Sequence, residues 1–155
     1  MVRITRQQLF VLFVLIMFIG SGIAYALMSV MEFGQPKQKL IFNGPLSNAD
    51  ESVFLRQNKV IARYFFSENC TTCPEVTKTV GDLFQDFGGN LIIEEIDVDE
   101  WPNFTSSLEI KEVPALYLKG STIDLITGNI TYDDAFKRIC DLFFSPIEQC
   151  ALVSP

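Results

Sequence analysis

The 155-residue chain contains no histidine, and that absence removes more chemistry than any residue present supplies. Without imidazole there are no His-ligated metal sites, no Ser-His triads and no histidine proton relays. Any catalysis must come from Cys, carboxylates, Lys, Tyr or backbone groups. Tryptophan occurs once against 14 phenylalanines, and cysteine only four times, so each thiol has to be accounted for individually. Positive charge is also scarce: 12 Lys and Arg stand against 19 Asp and Glu, giving a formal net charge of -7. Phosphate backbones are bound by Lys/Arg surfaces, so no nucleic-acid partner is expected. Neither repeats nor low-complexity segments interrupt the chain, and its length and apolar content suit one domain with a real core.

One charge-free stretch is long. Residues 9–31, LFVLFVLIMFIGSGIAYALMSVM, would reach roughly 35 Å as a helix, enough for a hydrocarbon core of about 30 Å. Arg3 and Arg6 precede it, and the positive-inside tendency keeps that end in the cytoplasm. The expected organisation is therefore a cytoplasmic tail (1–8), a transmembrane signal anchor (9–31), a linker (32–39), an extracytoplasmic domain (40–144) and a C-terminal tail (145–155). Lys37 and Lys39 weaken the charge asymmetry. A cleaved signal peptide is the competing reading, with Ala24-Tyr25-Ala26 as an A-x-A site and a secreted product after cleavage near Ala26. Both readings export the domain.

Beyond residue 39 the pattern alternates. LIFNG reads as a first or edge strand. Ser47 and Asp50 have capping-box spacing ahead of a short helix with Val53, Phe54 and Gln57 on one side. KVIARYFF reads as a strand. After Cys73, apolar residues at Val76, Val80, Leu83, Phe84 and Phe87 mark one helix face, ended by Gly88-Gly89. LIIEEIDVD reads as a strand, WPNFTSSLEI as a short helix, and ALYLKGSTIDLIT as two strands turned at Lys119-Gly120. A last helix opens with Thr131 and Asp134 at capping-box spacing and carries Tyr132, Phe136, Ile139, Cys140 and Phe143 on one face. The predicted order is β-α-β-α-β-α-β-β-α.

Cys70-Thr-Thr-Cys73 falls between a strand and a helix in this alternation, a context that points to a thioredoxin-like redox site. Side chains at i and i+3 of a regular helix have Cβ atoms about 5–6 Å apart, whereas a disulfide wants about 3.5–4.5 Å. The pair therefore fits best where Cys70 lies at or before the helix start. Unpaired N–H groups and the positive end of the helix dipole there stabilise a thiolate. Pro74 agrees, since the first turn tolerates proline. Cys70 is expected to attack and Cys73, one turn inward, to resolve the mixed disulfide. A zinc or copper site and a purely structural staple are the alternatives. Zinc would have to recruit Cys70, Cys73, Cys140 and Cys150 together, and so short a loop gives a staple little entropy to remove.

The segment from about Leu40 to Phe144 resembles the thioredoxin superfamily. RYFFSENCTTCPEV looks like its central strand, active-site loop and helix, and EVPALYLKG like the segment holding its cis-proline. The resemblance implies an α/β fold, a central mixed β-sheet flanked by helices, here preceded by one transmembrane helix. It implies that Pro114 is cis and packs beside the disulfide, and that the backbone at Val113 pairs with a substrate chain. Asn69 stands where the family commonly has Trp. Tyr64 stands where thioredoxins proper often carry a buried carboxylate that assists proton transfer to the second cysteine. A phenol is a poor base at neutral pH, so Glu68 and Glu95 become the candidates for that role. Glu68 also disfavours a thiolate nearby, and with no cation beside Cys70 a site less oxidising than the most activated relatives is expected.

Cys140, on the last helix, and Cys150, in the tail, are expected to form a structural disulfide in an exported domain; separate thiols or an electron relay to Cys70/Cys73 are the alternatives. The function expected is thiol-disulfide exchange on extracytoplasmic protein thiols. Its partners would be cysteine-containing client proteins, an unknown redox partner and the membrane through residues 9–31. No organic cofactor and no metal are required, since the electrons reside in the Cys70–Cys73 pair. The alternative from another class is a non-catalytic client-binding or metal-binding module on the same fold.

Overall fold

In the computed structural model, which describes residues 40–151, strand β1 (Ile41–Asn43) leads to helix α1 (Asn48–Arg56), strand β2 (Val60–Phe66) and helix α2 (Cys73–Phe87). Strand β3 (Leu91–Asp97), helix α3 (Pro102–Ser107), the hairpin strands β4 (Ala115–Lys119) and β5 (Ile123–Thr127), and helix α4 (Tyr132–Asp141) follow. Single 3-10 turns sit at Gly88–Asn90 and Glu148–Cys150. The alternation matches the sequence pattern element for element. The expected transmembrane span and its A-x-A site lie outside the described residues. Among the described residues no helix is long and apolar enough to cross a membrane.

The five strands form one mixed sheet in the order β1-β3-β2-β4-β5. β1 and β2 both run parallel to β3, whereas β4 runs antiparallel to β2 and β5 antiparallel to β4. β2 is central and buried on both faces, which is why VIARYFF shows no polar alternation. Its Val60, Ala62 and Tyr64 share one face with Leu91, Ile93, Leu116 and Leu118, under the apolar stripes of α2 and α4. Each fully buried Ile, Leu or Phe there contributes about 1.5–3 kcal/mol. Phe87, fully buried at the end of α2, packs with its ring tilted against those of Phe136 and Phe143; truncation to alanine would cost about 3–5 kcal/mol.

The opposite face is divided by charge. Two small apolar clusters, Phe54-Ile61-Ile92 and Phe65-Ile96-Ala115, flank Arg63 and Glu94, which are both buried. Arg63 Nε donates to Glu94 at 2.9 Å, its Nη2 donates to Glu51 at 2.7 Å, and Lys119 pairs with the other oxygen of Glu51. The guanidinium also lies 5.5 Å from the ring centroids of both Phe104 and Tyr117. Burial pushes the Glu94 carboxyl above its usual range against the pull of Arg63. Burial acts the same way on Glu51, but Lys119 and Arg63 together outweigh it and hold that carboxyl low.

This cluster corrects the expected face of α1. Phe54 is buried as predicted, but Val53 is 49% exposed and the second inward residue is Glu51. Arg63 gives that carboxylate a partner that Val53 could not supply. The two capping boxes also differ. Ser47 Oγ accepts from the Asp50 N–H at 3.2 Å, whereas Thr131 makes no side-chain cap. Asp134 instead accepts from Arg138 one turn on, at 3.1 Å, and Arg138 reaches across to Asp124 of β5. That pairing draws Asp134 away from the helix start.

The hairpin turn occupies Gly120 to Thr122, with Lys119 still in the strand. Ser121 N–H donates to the Leu142 carbonyl at 2.7 Å, and a Cβ on Gly120 would collide with the same oxygen. Only glycine lets the hairpin approach the end of α4 so closely. Residues 145–150 fold back here too. Cys140 and Cys150 are joined in a disulfide, Ile147 packs on the main core, and Asn58 exchanges two 3.0 Å hydrogen bonds with Ser145.

Candidate active site

The candidate site forms where β2 ends and α2 begins, at the carboxyl edge of the sheet. Ser67 organises the connecting loop. Its hydroxyl donates to Asp99 at 2.8 Å, its Oγ accepts from the Asn69 N–H at 3.3 Å, and its carbonyl accepts from the Cys70 N–H at 3.1 Å. Thr72 occupies the N-cap without a side-chain cap, Cys73 is the first helical residue, and Pro74 falls in the first turn, where no donor is lost to the ladder.

Cys70 and Cys73 are joined in a disulfide, Cα atoms 5.4 Å apart. The helix start aims donors at the outer sulfur. The Cys73 N–H lies 3.1 Å from Cys70 Sγ, and the Thr72 hydroxyl 3.7 Å from it. Exposure separates the two cysteines: Cys73 retains only 5%, while Cys70 is half-buried and lines a shallow depression of about 330 Å³. Ser67, Asn69, Thr71, Thr72 and Val113 line the same depression. The Val113–Pro114 peptide is cis, and Pro114 is buried. Strand β4 thus begins directly beside the disulfide.

Beneath Cys73 lies Tyr64, 1% exposed. Its hydroxyl donates to the Cys73 carbonyl at 2.9 Å and sits 3.1 Å from the Thr77 hydroxyl, which itself reaches the same carbonyl at 2.9 Å. Burial raises the phenol above its ordinary value of 10, the Thr77 contact opposes this, and the charge of Glu95 adds to it. Tyr64 therefore stays protonated at neutral pH.

The two carboxylates singled out from sequence are placed differently. Glu95 pairs in parallel register with Tyr64, so both side chains leave the sheet on the face covered by α2. Glu68 is exposed on the loop before Cys70. Ser67, Thr72 and Thr77 were not anticipated. Thr77, four residues after Cys73, was within reach of a helical-spacing argument. Ser67 was not, because its partner Asp99 lies 32 positions away.

A two-cysteine helix start beside a cis-proline is built for thiol-disulfide exchange, and comparison with known proteins agrees. Residues 46–140 match the family model described as thioredoxin, and the chain belongs to the thioredoxin family. It is 24% identical over 91 residues to a thioredoxin of Chlorobaculum thiosulfatiphilum, covering 57% of this chain and 84% of that one. It is 32% identical over 54 residues to thioredoxin 1 of Chlorobaculum tepidum, covering 35% of this chain and 54% of the relative. A solved mutant thioredoxin from Halobacterium salinarum superposes with a TM-score of 0.58 at 19% identity, covering 71% of this chain and 96% of that one. A chloroplastic thioredoxin z gives 0.54 at 17%, covering 68% and 97%. The two structural likenesses concern the fold alone. The protein is a thiol-disulfide oxidoreductase, and its family acts on cysteine-containing substrate proteins.

Proposed function

We propose that the protein carries out this exchange outside the cytoplasm, tethered to the membrane by residues 9–31, with Cys70 as nucleophile and Cys73 as resolving thiol. The observation that carries the assignment is the asymmetry of the pair. Cys70 borders the open depression and faces the Cys73 N–H, while Cys73 is almost wholly buried. Cys70 thiolate attacks a client disulfide to give a mixed disulfide and release one client thiolate. Cys73 thiolate then attacks Cys70 Sγ, closing the Cys70–Cys73 bond and releasing the second client thiolate, which takes up a proton. Run in reverse, the same steps oxidise a dithiol.

The client chain lies along Val113 and Pro114. Glu95, rather than Glu68, accepts the proton of Cys73, because it shares the buried sheet face with Tyr64 beneath that residue. Cys140–Cys150 is a structural staple, and an exported location suits a disulfide that pins the tail. The charge-free run at 9–31 supports the tether.

The test is a trapping experiment with the full chain. Cys73→Ser is expected to accumulate client mixed disulfides through Cys70, and Cys70→Ser to accumulate none. Protease added to sealed membranes should reach the domain only from the extracytoplasmic side. Trapping through Cys73 in the Cys70→Ser variant would overturn the roles, and protection of the domain outside would overturn the topology.

A further inference from the structure

We propose that Tyr64 is a positioning residue for the resolving half-reaction, holding Cys73 by its carbonyl so that the inner sulfur meets Cys70 when a mixed disulfide must be opened. The proposal rests on the roles assigned above to the two cysteines.

The geometry around the carbonyl is unusual for a helix start. Cys73 is the first residue of α2, where backbone N–H groups have no intrahelical acceptor and the turn tends to fray. Its own N–H is turned to Cys70 Sγ, and Pro74 brings no N–H to the first turn. Thus once the S–S bond opens, the cross-link that fixes Cys73 to the loop is gone. Beyond the helix's own backbone, one contact reaches it from the sheet, Tyr64 Oη donating to the Cys73 carbonyl at 2.9 Å, while Thr77 Oγ1, one turn on in α2, meets the same oxygen at 2.9 Å. Two hydroxyls hold two protons. If both are directed to the carbonyl, the 3.1 Å Tyr64–Thr77 contact carries none; otherwise Tyr64 donates to Thr77, which donates onward. Either arrangement leaves the carbonyl gripped.

Tyr64 is itself fixed. It is 1% exposed in the central strand and stacks on Phe66 with ring centroids 5.6 Å apart. A group so rigid transmits the sheet's position to the first turn of α2. It carries no proton away, since the phenol stays neutral at working pH. In the step it assists, Cys73 thiolate attacks Cys70 Sγ, the Cys70–client S–S bond breaks, and the client sulfur leaves with the electron pair.

The experiment uses the full-length reduced protein with Cys140 and Cys150 replaced by Ser, mixed with an aromatic disulfide that releases a coloured thiol at each step. The first release reports attack by Cys70 and the second reports resolution by Cys73. Tyr64→Phe keeps the ring and removes the donor. One neutral hydrogen bond corresponds to about 3- to 10-fold in rate. The second release should slow by about that factor, with the first release and the pH midpoint of the second unchanged. Thr77→Val should slow the second release similarly, and Thr77→Ser should restore it. An unchanged second release, or equal slowing of both phases, overturns the proposal. So does a shifted pH midpoint, which would make Tyr64 a proton carrier. Loss of the first release in Tyr64→Phe also overturns it, whereas Cys70→Ser that still releases thiol would overturn the cysteine roles instead.

Discussion

The backbone N–H of Cys73 lies 3.1 Å from the sulfur of Cys70, so the residue that closes the disulfide also supplies a donor to the sulfur it attacks. A donor and the positive helix end at the outer sulfur favour its thiolate. In reduced protein, iodoacetamide should therefore modify Cys70 at least about tenfold faster than Cys73, as read by peptide mass mapping after a short exposure. Equal labelling would mean that neither burial nor the helix start distinguishes the two thiols.

Glu95 and Glu68 can be separated kinetically. Glu95→Gln should slow resolution of a Cys70 mixed disulfide by about 100-fold or more at neutral pH, the usual loss with a general base, and recover as hydroxide takes over at high pH. Glu68→Gln should leave resolution within about twofold, because the side chain is exposed on the outer loop. The reverse ranking would move the proton acceptor to Glu68.

The charge cluster on the far side of the sheet predicts stability without predicting activity. Arg63→Met leaves Glu94 buried without its guanidinium and should cost about 3–5 kcal/mol in denaturant unfolding. Glu51 tests the sign with pH. Its folded-state carboxyl lies below the ordinary value of 4.5, so the stability it contributes is present above that pH and is lost as pH falls through the lower folded value. The gap in unfolding free energy between the natural chain and Glu51→Gln should accordingly be largest near neutrality and close below about pH 4.5. A gap that widens on acidification would contradict the pairing.

Removing the Cys140–Cys150 bond releases a loop closed by residues ten apart, and chain entropy assigns such a bond about 2–3 kcal/mol. The double Ser variant should unfold that much more easily while keeping both phases of thiol release. Should the phases change, the second disulfide would belong to an electron relay rather than to the scaffold.

Much of the fold was legible because its signals are local. The alternation of apolar runs, the stripe Val76-Val80-Leu83-Phe87 on α2 and the glycines after Phe87 need no knowledge of distant residues. The helix starts fell at the expected Ser47 and Thr131, but side-chain roles changed where another partner was at hand. Asp134 left its capping position for Arg138, and α1 turned Glu51 inward because Arg63 waited in the sheet. An arginine inside VIARYFF and a glutamate inside LIIEEIDVD were visible signs of a buried pair, but only register brought them face to face.

By itself the sequence determined the class of chemistry. A chain without histidine, with two cysteines three apart at a helix start and proline following, has its reactive groups fixed by covalent spacing and by the dipole of the helix that spacing begins. Tertiary structure alone decided what surrounds them. Tyr64 comes from the neighbouring strand to grip the Cys73 carbonyl, and Glu95 comes to that face through the pairing of β2 with β3. The places of Tyr64 and Glu95 depend on strand register and on the packing of α2 over the sheet, and a one-residue slip of either strand would turn its side chain to the other face.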